Sequence, residues 1–573
     1  MQQARKAWKG NPVSPGIAIA KVFLYEPTIL AVEPREIAPT AVTGEMDRFQ
    51  GALAQAKEQL QELYDRLCTQ HPQQAKIFAA HQEILEDEEL QEEVETAINQ
   101  ERIGAENAVE QAFDQFAQML AQVEDPLIAG RAADLTDVKK RLLRILMGKQ
   151  EKRLDQFDED VILVAHDLLP SDTATLDREH VKGMITEVGG SNSHCAILAR
   201  SFLIPAILGV EGITGALQDG WKVILDAVEG NVICFYEADE KKAYEERRDR
   251  FRQQQQEEQT YLCRPGMTKD GTPIQIGMNI GSDHYEGEEQ AYSFIGLFRS
   301  EFLYMEGEHL PTEEEQFAVY RNVLERAKGK TVTLRTLDIG GDKTLPYMEL
   351  PKETNPFLGM RALRLCLLHP DIFKTQLRAA LRASAYGKLQ IMFPMVGSME
   401  DIDRAKSMVR QVQEELTQEG YAYDKEIKLG IMIEIPSIAL IADLAAKEVD
   451  FASIGSNDLT QYLCAADRMN AQTEAYYQSY SPAMLRILGF VFRSFASEGK
   501  PVSVCGEMAG NPKAAAILVG LGARKLSMNY ASIPAVKAKL AGMTLEEMEG
   551  MANQCLTLRT EEEIRRYVDD RIF

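Results

Sequence analysis

The sequence predicts a multidomain α/β fold, in which a mixed α/β unit with an inserted helical domain is followed by a (β/α)₈ barrel. Three observations carry this. Eight apolar strand-like segments alternate with helical patterns beyond Pro265, helical periodicity fills residues 31–148, and strand-like segments lie on both sides of that stretch. A chain of 573 residues has length for about three or four domains, so one core is not expected to serve all of it.

The first strand is Ile17 to Leu24, an alternating segment after the turn signal of Pro15 and Gly16. A different period begins near Glu45. Met46, Phe49, Leu53, Ala56, Leu60, Leu63 and Leu67 recur three or four apart, the stripe of an amphipathic helix. A second helix runs through Ile77, His81, Ile84 and Leu85, and the pattern resumes over Ala108 to Met119 and Asp134 to Leu146. From Glu83 to Glu95, eight of thirteen residues are acidic and none is basic, which reads as a solvated helix face or a dock for a basic partner.

Strand-like segments return at 161–165, 183–187, 221–228 and 231–236, with Gly212, Gly215, Gly220 and Gly230 as punctuation. Asp239 to Thr260 is polar throughout and reads as a helical connector. The eight later strands are expected at 274–280, 294–298, 331–336, 389–393, 429–435, 451–455, 501–505 and 525–529. Strand and helix in alternation close into a barrel, and a barrel of this kind gathers its chemistry at the carboxyl ends of its strands.

Those ends are polar. They supply Asn279, Arg299, Arg335 with Asp338 and a Gly-Gly-Asp-Lys turn, Glu434, Asn457 with Asp458, Cys505 with Glu507, and Asn529. Arg299, Arg335, Lys343, Arg361 and Arg468 suit a phosphate, because a guanidinium meets its oxygens with paired hydrogen bonds. Glu434 and Asp458 are hard oxygen donors without a histidine or thiolate beside them, which points to Mg²⁺. A small phosphorylated carboxylic acid fits this mixture. Cys505 reads either as a buried apolar cysteine or as a thiol that gives or takes a proton.

Upstream, GGSNSHCAILARSF (Gly189 to Phe202) sets His194 between a diglycine and an apolar run. The glycines allow a tight turn, and the helix that follows presents its amino end and the imidazole to an anion. This is the place expected for covalent chemistry.

Composition narrows the setting. With 88 acidic against 63 basic side chains the net charge is −25, which repels nucleic acid and anionic membrane and attracts a compact basic partner. The eight cysteines have no metal-ligand spacing, so zinc and a disulfide framework are not expected and a reducing compartment fits. No signal core and no apolar run of about 20 residues is read. The expected location is the cytoplasm, without membrane insertion.

Read together, VSPGIAIA (Val13 to Ala20), AADLTDVKKRLL, VILVAHDLLPSDTATL, GGSNSHCAILAR, GLFRSEFLYM, RTLDIGGDK, NPFLGMRALR, GSNDLTQY and CGEMAG cover nearly the whole chain in order. This set resembles the Enzyme I family of the bacterial sugar phosphotransferase system, the phosphoenolpyruvate-protein phosphotransferases. The resemblance implies that His194 accepts phosphate from phosphoenolpyruvate and passes it to a small histidine phosphocarrier protein, with release of pyruvate. It implies substrate contacts by Arg299, Arg335, Lys343, Arg361, Asn457 and Arg468, Mg²⁺ on Glu434 and Asp458, and Cys505 as the acid that protonates the enolpyruvate carbon.

It also implies a division of the chain. Residues 1–30 and 149–238 form a swivelling phosphohistidine α/β domain, 31–148 a helical carrier-binding domain, 239–264 a helical linker and 265–573 the phosphoenolpyruvate-binding barrel, through which a homodimer forms. The sequence departs from the family's usual GGxTSHTAI at Asn192 and Cys195, which stand where hydroxyls are common. Two other readings share the chemistry. One is a dikinase-like enzyme, although no Gly-rich nucleotide domain is read before the histidine unit. The other is a non-catalytic phosphoenolpyruvate sensor, although the metal acids, arginines and thiol are all retained.

Overall fold

The computed structural model describes the chain apart from residues 1–4, 26–31, 68–71, 123–125, 150–153, 155, 169–175, 191, 192, 286, 306, 308, 342, 344, 346, 349–352, 572 and 573, and apart from the side chains of 66, 67, 72–77, 121, 122, 126–133, 194, 197, 201 and 471. The chain forms two units, Met1–Gln253 and Gln254–Phe573.

The first unit is built on an eight-stranded sheet of β1 (Lys6–Lys9), β2 (Asn11–Ser14), β3 (Ile17–Tyr25), β4 (Val161–Ala165), β5 (Val181–Thr186), β6 (Ala206–Leu208), β7 (Lys222–Asp226) and β8 (Asn231–Cys234), in the order β1-β8-β7-β3-β4-β5-β6-β2. The central run β3-β4-β5-β6 is parallel and the flanking pairs are antiparallel. All five residues of β4 are buried, as a strand covered on both faces requires, and its sequence VILVA is accordingly an unbroken apolar run. Strands β1, β2 and β6 were not anticipated. They are three or four residues long, and β1 and β2 are the sheet's edges, with sequences KAWK and NPVS that carry lysine or proline in place of an apolar run.

Between β3 and β4 the chain forms the helices Val42–Leu67, Pro72–Glu86, Glu88–Thr96, Ala105–Gln122 and Pro126–Leu146. They share a separate core of Phe49, Ala56, Leu60, Leu85, Val94, Val109, Phe113 and Leu142 among others. The acidic run lies on two helices, because Asp87 ends one and caps the next by accepting from Leu90 N at 2.9 Å. Leu85, Leu90 and Val94 face the core, while Glu83, Glu86, Asp87, Glu88, Glu89, Glu92 and Glu93 are exposed. The connector is one helix, Ala238–Gln259, with no buried residue.

The second unit is the predicted barrel. Its strands are β9 (Gln275–Ile280), β10 (Phe294–Arg299), β11 (Val332–Arg335), β12 (Leu389–Phe393), β13 (Lys428–Ile433), β14 (Phe451–Ile454), β15 (Val502–Val504) and β16 (Lys525–Met528). Each pairs in parallel with the next, and β16 pairs with β9 to close the ring. The larger core lies between strands and helices, where side chains such as Ile276, Ile391, Ile431 and Leu526 pack. Alternate residues point inward, where Leu297, Met392, Met432, Phe451 and Cys505 form a small cluster of their own. Among the described residues no helix is long and apolar enough to cross a membrane.

Candidate active site

Arg299 and Arg335 are the last residues of β10 and β11, Glu434 follows β13 directly, and Cys505 follows β15 directly. Asn457 and Asp458 lie in the first turn of the helix Ser456–Cys464, two residues beyond β14. Termination of each strand therefore brings these side chains to one end of the barrel. Lys343 arrives on the Gly-Gly-Asp-Lys turn, closed by Gly340 N donating to Lys343 O at 2.9 Å. Gly340 has φ +103°, and a Cβ there would lie 2.5 Å from Met360 O, so glycine is needed both for the turn and for the approach of the Arg361 segment.

The charges form a continuous buried chain. Glu301 Oε1 accepts from Arg335 Nη2 and from Lys343 Nζ, the latter at 2.9 Å. Asp338 Oδ2 meets the same two cations at 3.0 and 3.2 Å. Arg361 donates to both oxygens of Asp338 and, through Nη1, to Asp458 Oδ1 at 3.0 Å. Arg468 Nη1 reaches the other Asp458 oxygen at 3.6 Å. Buried ions persist when they are paired in this way, since an unpaired one carries a desolvation cost of several kcal/mol.

The same pairing sets the proton affinities. Burial pushes the Glu301 and Asp338 carboxyls up, but the charges of Arg335 and Lys343, joined at Asp338 by Arg361, outweigh it and hold both below the usual carboxylate range. Glu434 behaves in the opposite sense. Burial first, then the nearby charges of Asp458 and Asp338, raise it to about 7.

Glu434 Oε1 accepts from Met395 N at 2.6 Å, while Oε2 is buried with no hydrogen-bond partner. A Cβ on residue 455 would come within 2.7 Å of that oxygen, so Gly455 keeps the space beside it open. A buried, unpartnered carboxylate oxygen next to a second carboxylate fits a hard divalent cation. No group of three or more His, Cys, Asp or Glu able to hold a metal occurs among the described residues, so such an ion needs water or substrate oxygens to complete its shell.

Cys505 is 4% exposed. Asn279 Nδ2 donates to its carbonyl at 2.9 Å and is itself fixed by Ser527 Oγ at 2.6 Å. Burial raises the thiol, opposed by the nearby Ser453 hydroxyl and by the Arg335 charge, and its Sγ donates to Ile454 O at 3.5 Å. Arg299 lies close enough for its charge to act on both Glu301 and Cys505.

The structure thus brings Arg299, Arg335, Lys343, Arg361, Arg468, Glu434, Asp458 and Cys505 into one neighbourhood. Asn457 sits beside it, with Oδ1 accepting from Glu507 N at 3.0 Å. Glu507 is exposed, and Asn529 starts a 3₁₀ turn without a side-chain cap. His194 is in the other unit, as the first residue of the helix His194–Ser201, whose cap Ser193 Oγ accepts from Ala196 N at 3.3 Å. Gly189, at φ +109°, makes the turn that leads there. The His194 side chain and all of Asn192 lie outside the described atoms, while Cys195 is buried.

Three contributors were not singled out from sequence. Glu301 follows Arg299 by two positions and was visible only as an acid at a strand end. Tyr462 accepts from Arg361 Nη1 at 3.2 Å and donates to Phe357 O at 2.6 Å; it looks like part of an ordinary amphipathic stripe. Ser453 sits inside an apolar strand without a motif to mark it.

Three family models match the chain: PEP-utilising enzyme, N-terminal, over residues 9–131; PEP-utilising enzyme, mobile domain, over 157–230; and PEP-utilising enzyme, PEP-binding domain, over 254–545. The chain is 44% identical over 565 residues to the phosphoenolpyruvate-protein phosphotransferase of Bacillus subtilis (strain 168), covering 98% of this chain and 99% of that protein. It is 44% identical over 566 residues to the Geobacillus stearothermophilus protein of the same name, covering 98% of each. With the Staphylococcus aureus (strain MSSA476) phosphotransferase the figure is 42% over 570 residues, or 99% of this chain and 100% of that one.

A barrel with this strand-end cluster, preceded in one chain by the mobile and N-terminal segments, defines a phosphoenolpyruvate-utilising enzyme. The chain belongs to the phosphoenolpyruvate-protein phosphotransferase family, Enzyme I of the sugar phosphotransferase system. Its activity is transfer of the phosphoryl group of phosphoenolpyruvate to a histidine and on to a phosphocarrier protein, with release of pyruvate.

Proposed function

We propose that His194 is the phosphoryl acceptor and that the barrel's strand-end cluster is the phosphoenolpyruvate site. The observation that carries this is the buried chain of charge from Glu301 through Arg335, Lys343, Asp338 and Arg361 to Asp458. It holds three cations together in a largely buried cluster, where they act on an anion more strongly than they would in bulk solvent. Arg299, Arg335, Lys343, Arg361, Asn457 and Arg468 orient the phosphate and carboxylate. Glu434 and Asp458 would hold Mg²⁺, which when bound neutralises phosphoryl oxygens.

His194 attacks phosphorus with an unprotonated ring nitrogen, a form that imidazole supplies near neutral pH. The bond from phosphorus to the bridging oxygen breaks in line, and Cys505 gives a proton to the methylene carbon of the departing enolpyruvate.

The phosphoryl group then passes from His194 to the carrier. The division into residues 1–30 with 149–238, 31–148, 239–264 and 265–573 assigns this second step to the helical segment, whose exposed acids suit a basic carrier surface. The working form is a cytoplasmic homodimer joined through the barrels. Incubation with labelled phosphoenolpyruvate, Mg²⁺ and purified carrier tests the whole sequence. Acid-labile label maps to His194 and chases into the carrier, and equal labelling of His194→Ala would overturn the assignment.

A further inference from the structure

A buried amide stands where β11 leaves the barrel wall. Pairing of β11 with β12 runs to Arg335 opposite Met392, and Thr336 N still donates to Met392 O at 3.0 Å. Beyond it the backbone turns to side chains. Leu337 N donates to Gln376 Oε1 at 2.8 Å, and Arg335 O accepts from Ser300 Oγ at 2.7 Å. Gln376 Nε2 donates to that same Ser300 Oγ at 3.0 Å and to Tyr320 Oη at 3.2 Å. Gln376, on the helix Pro370–Ala383, is 1% exposed and Ser300 is fully buried. The amide's partners fix its orientation: Leu337 N–H needs an acceptor, and the reverse placement would set N–H against N–H. Tyr320 passes its own proton to Gln316 Oε1 at 2.9 Å. An acceptor for Leu337 N would meet the backbone's need by itself. The second arm, through Ser300 to Arg335 O, ties both ends of a three-residue stretch to one side chain.

We propose that Gln376 is a positioning residue for phosphoenolpyruvate binding: with Ser300 it clamps residues 335–337 and so fixes where Arg335 and Asp338 stand. This rests on the reading of the strand-end cluster as the substrate site. The Arg335–Asp338 ion pair, at 3.0 Å, spans the clamped stretch. Ser300 stands between Arg299 and Glu301, and Leu337 precedes Asp338, so four of the site's charged side chains leave the backbone at or beside a clamped residue. Phe373 and Leu377, the neighbours of Gln376 on its helix, belong to the core between strands and helices. Gln376 therefore acts through the backbone of β11 and not on the ligand. A buried amide with all its bonds made holds one geometry, because any shift leaves a buried donor or acceptor without its partner.

The test compares full-length Gln376→Leu, Ser300→Ala, Gln316→Leu and Arg335→Lys proteins, each checked by thermal melting, in pyruvate formation from phosphoenolpyruvate with Mg²⁺ and excess carrier. Misplacing a substrate-orienting group by about 1 Å costs up to roughly 10²-fold. Gln376→Leu therefore raises the KM for phosphoenolpyruvate about 10- to 100-fold, with kcat changed much less. Ser300→Ala, which removes a single oxygen, raises it in the same sense by less. Gln316→Leu strips Tyr304 and Tyr320 of their acceptor and lowers the melting temperature as Gln376→Leu does. It leaves KM unchanged, because the bonds of Gln316 run to Tyr304, Tyr320 and Pro311 and not to residues 335–338. A folded Gln376→Leu protein with unchanged KM overturns the clamp, as does an equal rise in Gln316→Leu. Where Gln376→Leu fails to fold, an unchanged KM in Ser300→Ala overturns it. Arg335→Lys tests the underlying reading: an unchanged KM there takes the substrate site away from the cluster, whereas a raised KM there beside an unchanged one in Gln376→Leu overturns the clamp alone.

Discussion

Arg361 clasps Asp338 with two parallel hydrogen bonds, Nε to Oδ1 at 2.9 Å and Nη2 to Oδ2 at 3.1 Å. Both side chains are 1% exposed. The remaining Nη1 reaches Asp458, so one guanidinium ties the carboxylate that organises Arg335 and Lys343 to a proposed metal ligand. The proposed phosphate-binding and metal-binding halves of the site are therefore joined through a single planar group.

Arg361→Lys keeps the charge and loses the fork, because an ammonium cannot bond both Asp338 oxygens in parallel while also meeting Asp458. Its kcat/KM for phosphoenolpyruvate is expected to fall about 10²-fold or more, as loss of substrate-positioning geometry does. Arg361→Ala leaves two buried carboxylates short of a partner, and the barrel should lose on the order of 3–5 kcal/mol. Steady-state kinetics for the first and denaturant unfolding for the second check these values. A fully active Arg361→Lys protein would show that the fork is dispensable.

Glu301→Gln is expected to act on binding. The neutral amide no longer balances Arg335 and Lys343, which remain held on Asp338 alone, and their mutual repulsion draws them off their present positions. Loss of a charge-assisted pair typically costs about ten- to a hundredfold, seen as a higher KM for phosphoenolpyruvate with kcat changed much less. Unchanged KM would separate Glu301 from substrate binding.

The barrel was legible because each strand is a short apolar run bounded by polar residues, and the rule that chemistry sits at strand ends then located Arg299, Arg335, Glu434, Asp458 and Cys505. The network that joins them was not legible. Glu301 and Tyr462 act through partners 34 and 101 positions away, Arg335 and Arg361, and no local pattern encodes a contact of that range. Strands β1 and β2 escaped because their residues, KAWK and NPVS, place lysine or proline where strands as short as β15 have an alternating or apolar segment, and β6 is only the three residues AIL. The helical insert was readable from its apolar stripe, yet its break at Asp87 was not: a single carboxylate among eight acids gives no sign that it is the one that caps a helix.

The metal question has a pH signature. Burial and the charges of Asp458 and Asp338 raise Glu434 to about 7, above the value near 4.3 expected for an unfolded glutamate. A group raised on folding contributes stability that is full below its unfolded pKa and is lost as pH rises through its folded pKa. In chelator, this contribution should therefore decline between about pH 4.5 and 7. A divalent cation favours the ionised carboxylate, so Mg²⁺ should raise the melting temperature more at pH 8 than at pH 6. Glu434→Gln should abolish that difference while the fold is retained. Calorimetry of both proteins in chelator and in Mg²⁺ checks this, and an equal Mg²⁺ effect in the variant would remove Glu434 from the metal site.

Cys505 separates chemistry from packing most cleanly. The thiol is buried beside Leu297, Met392, Met432 and Phe451, so Cys505→Ala removes one polarizable atom from a small cluster, and a modest loss of stability is expected on either reading of its role. Turnover is what differs. As the proton donor to enolpyruvate, its loss should slow pyruvate formation by about 10²- to 10⁴-fold. Phosphoenolpyruvate should still bind, because Arg335, Lys343 and Arg361 keep their carboxylate partners. Phosphorylation of the histidine precedes protonation, so a single turnover should still deposit phosphate while pyruvate appears slowly and its methyl group loses stereospecific labelling from solvent deuterium. Affinity, melting and single-turnover kinetics on one preparation test all three points. Rapid, stereospecific pyruvate formation by Cys505→Ala would assign the proton to another group.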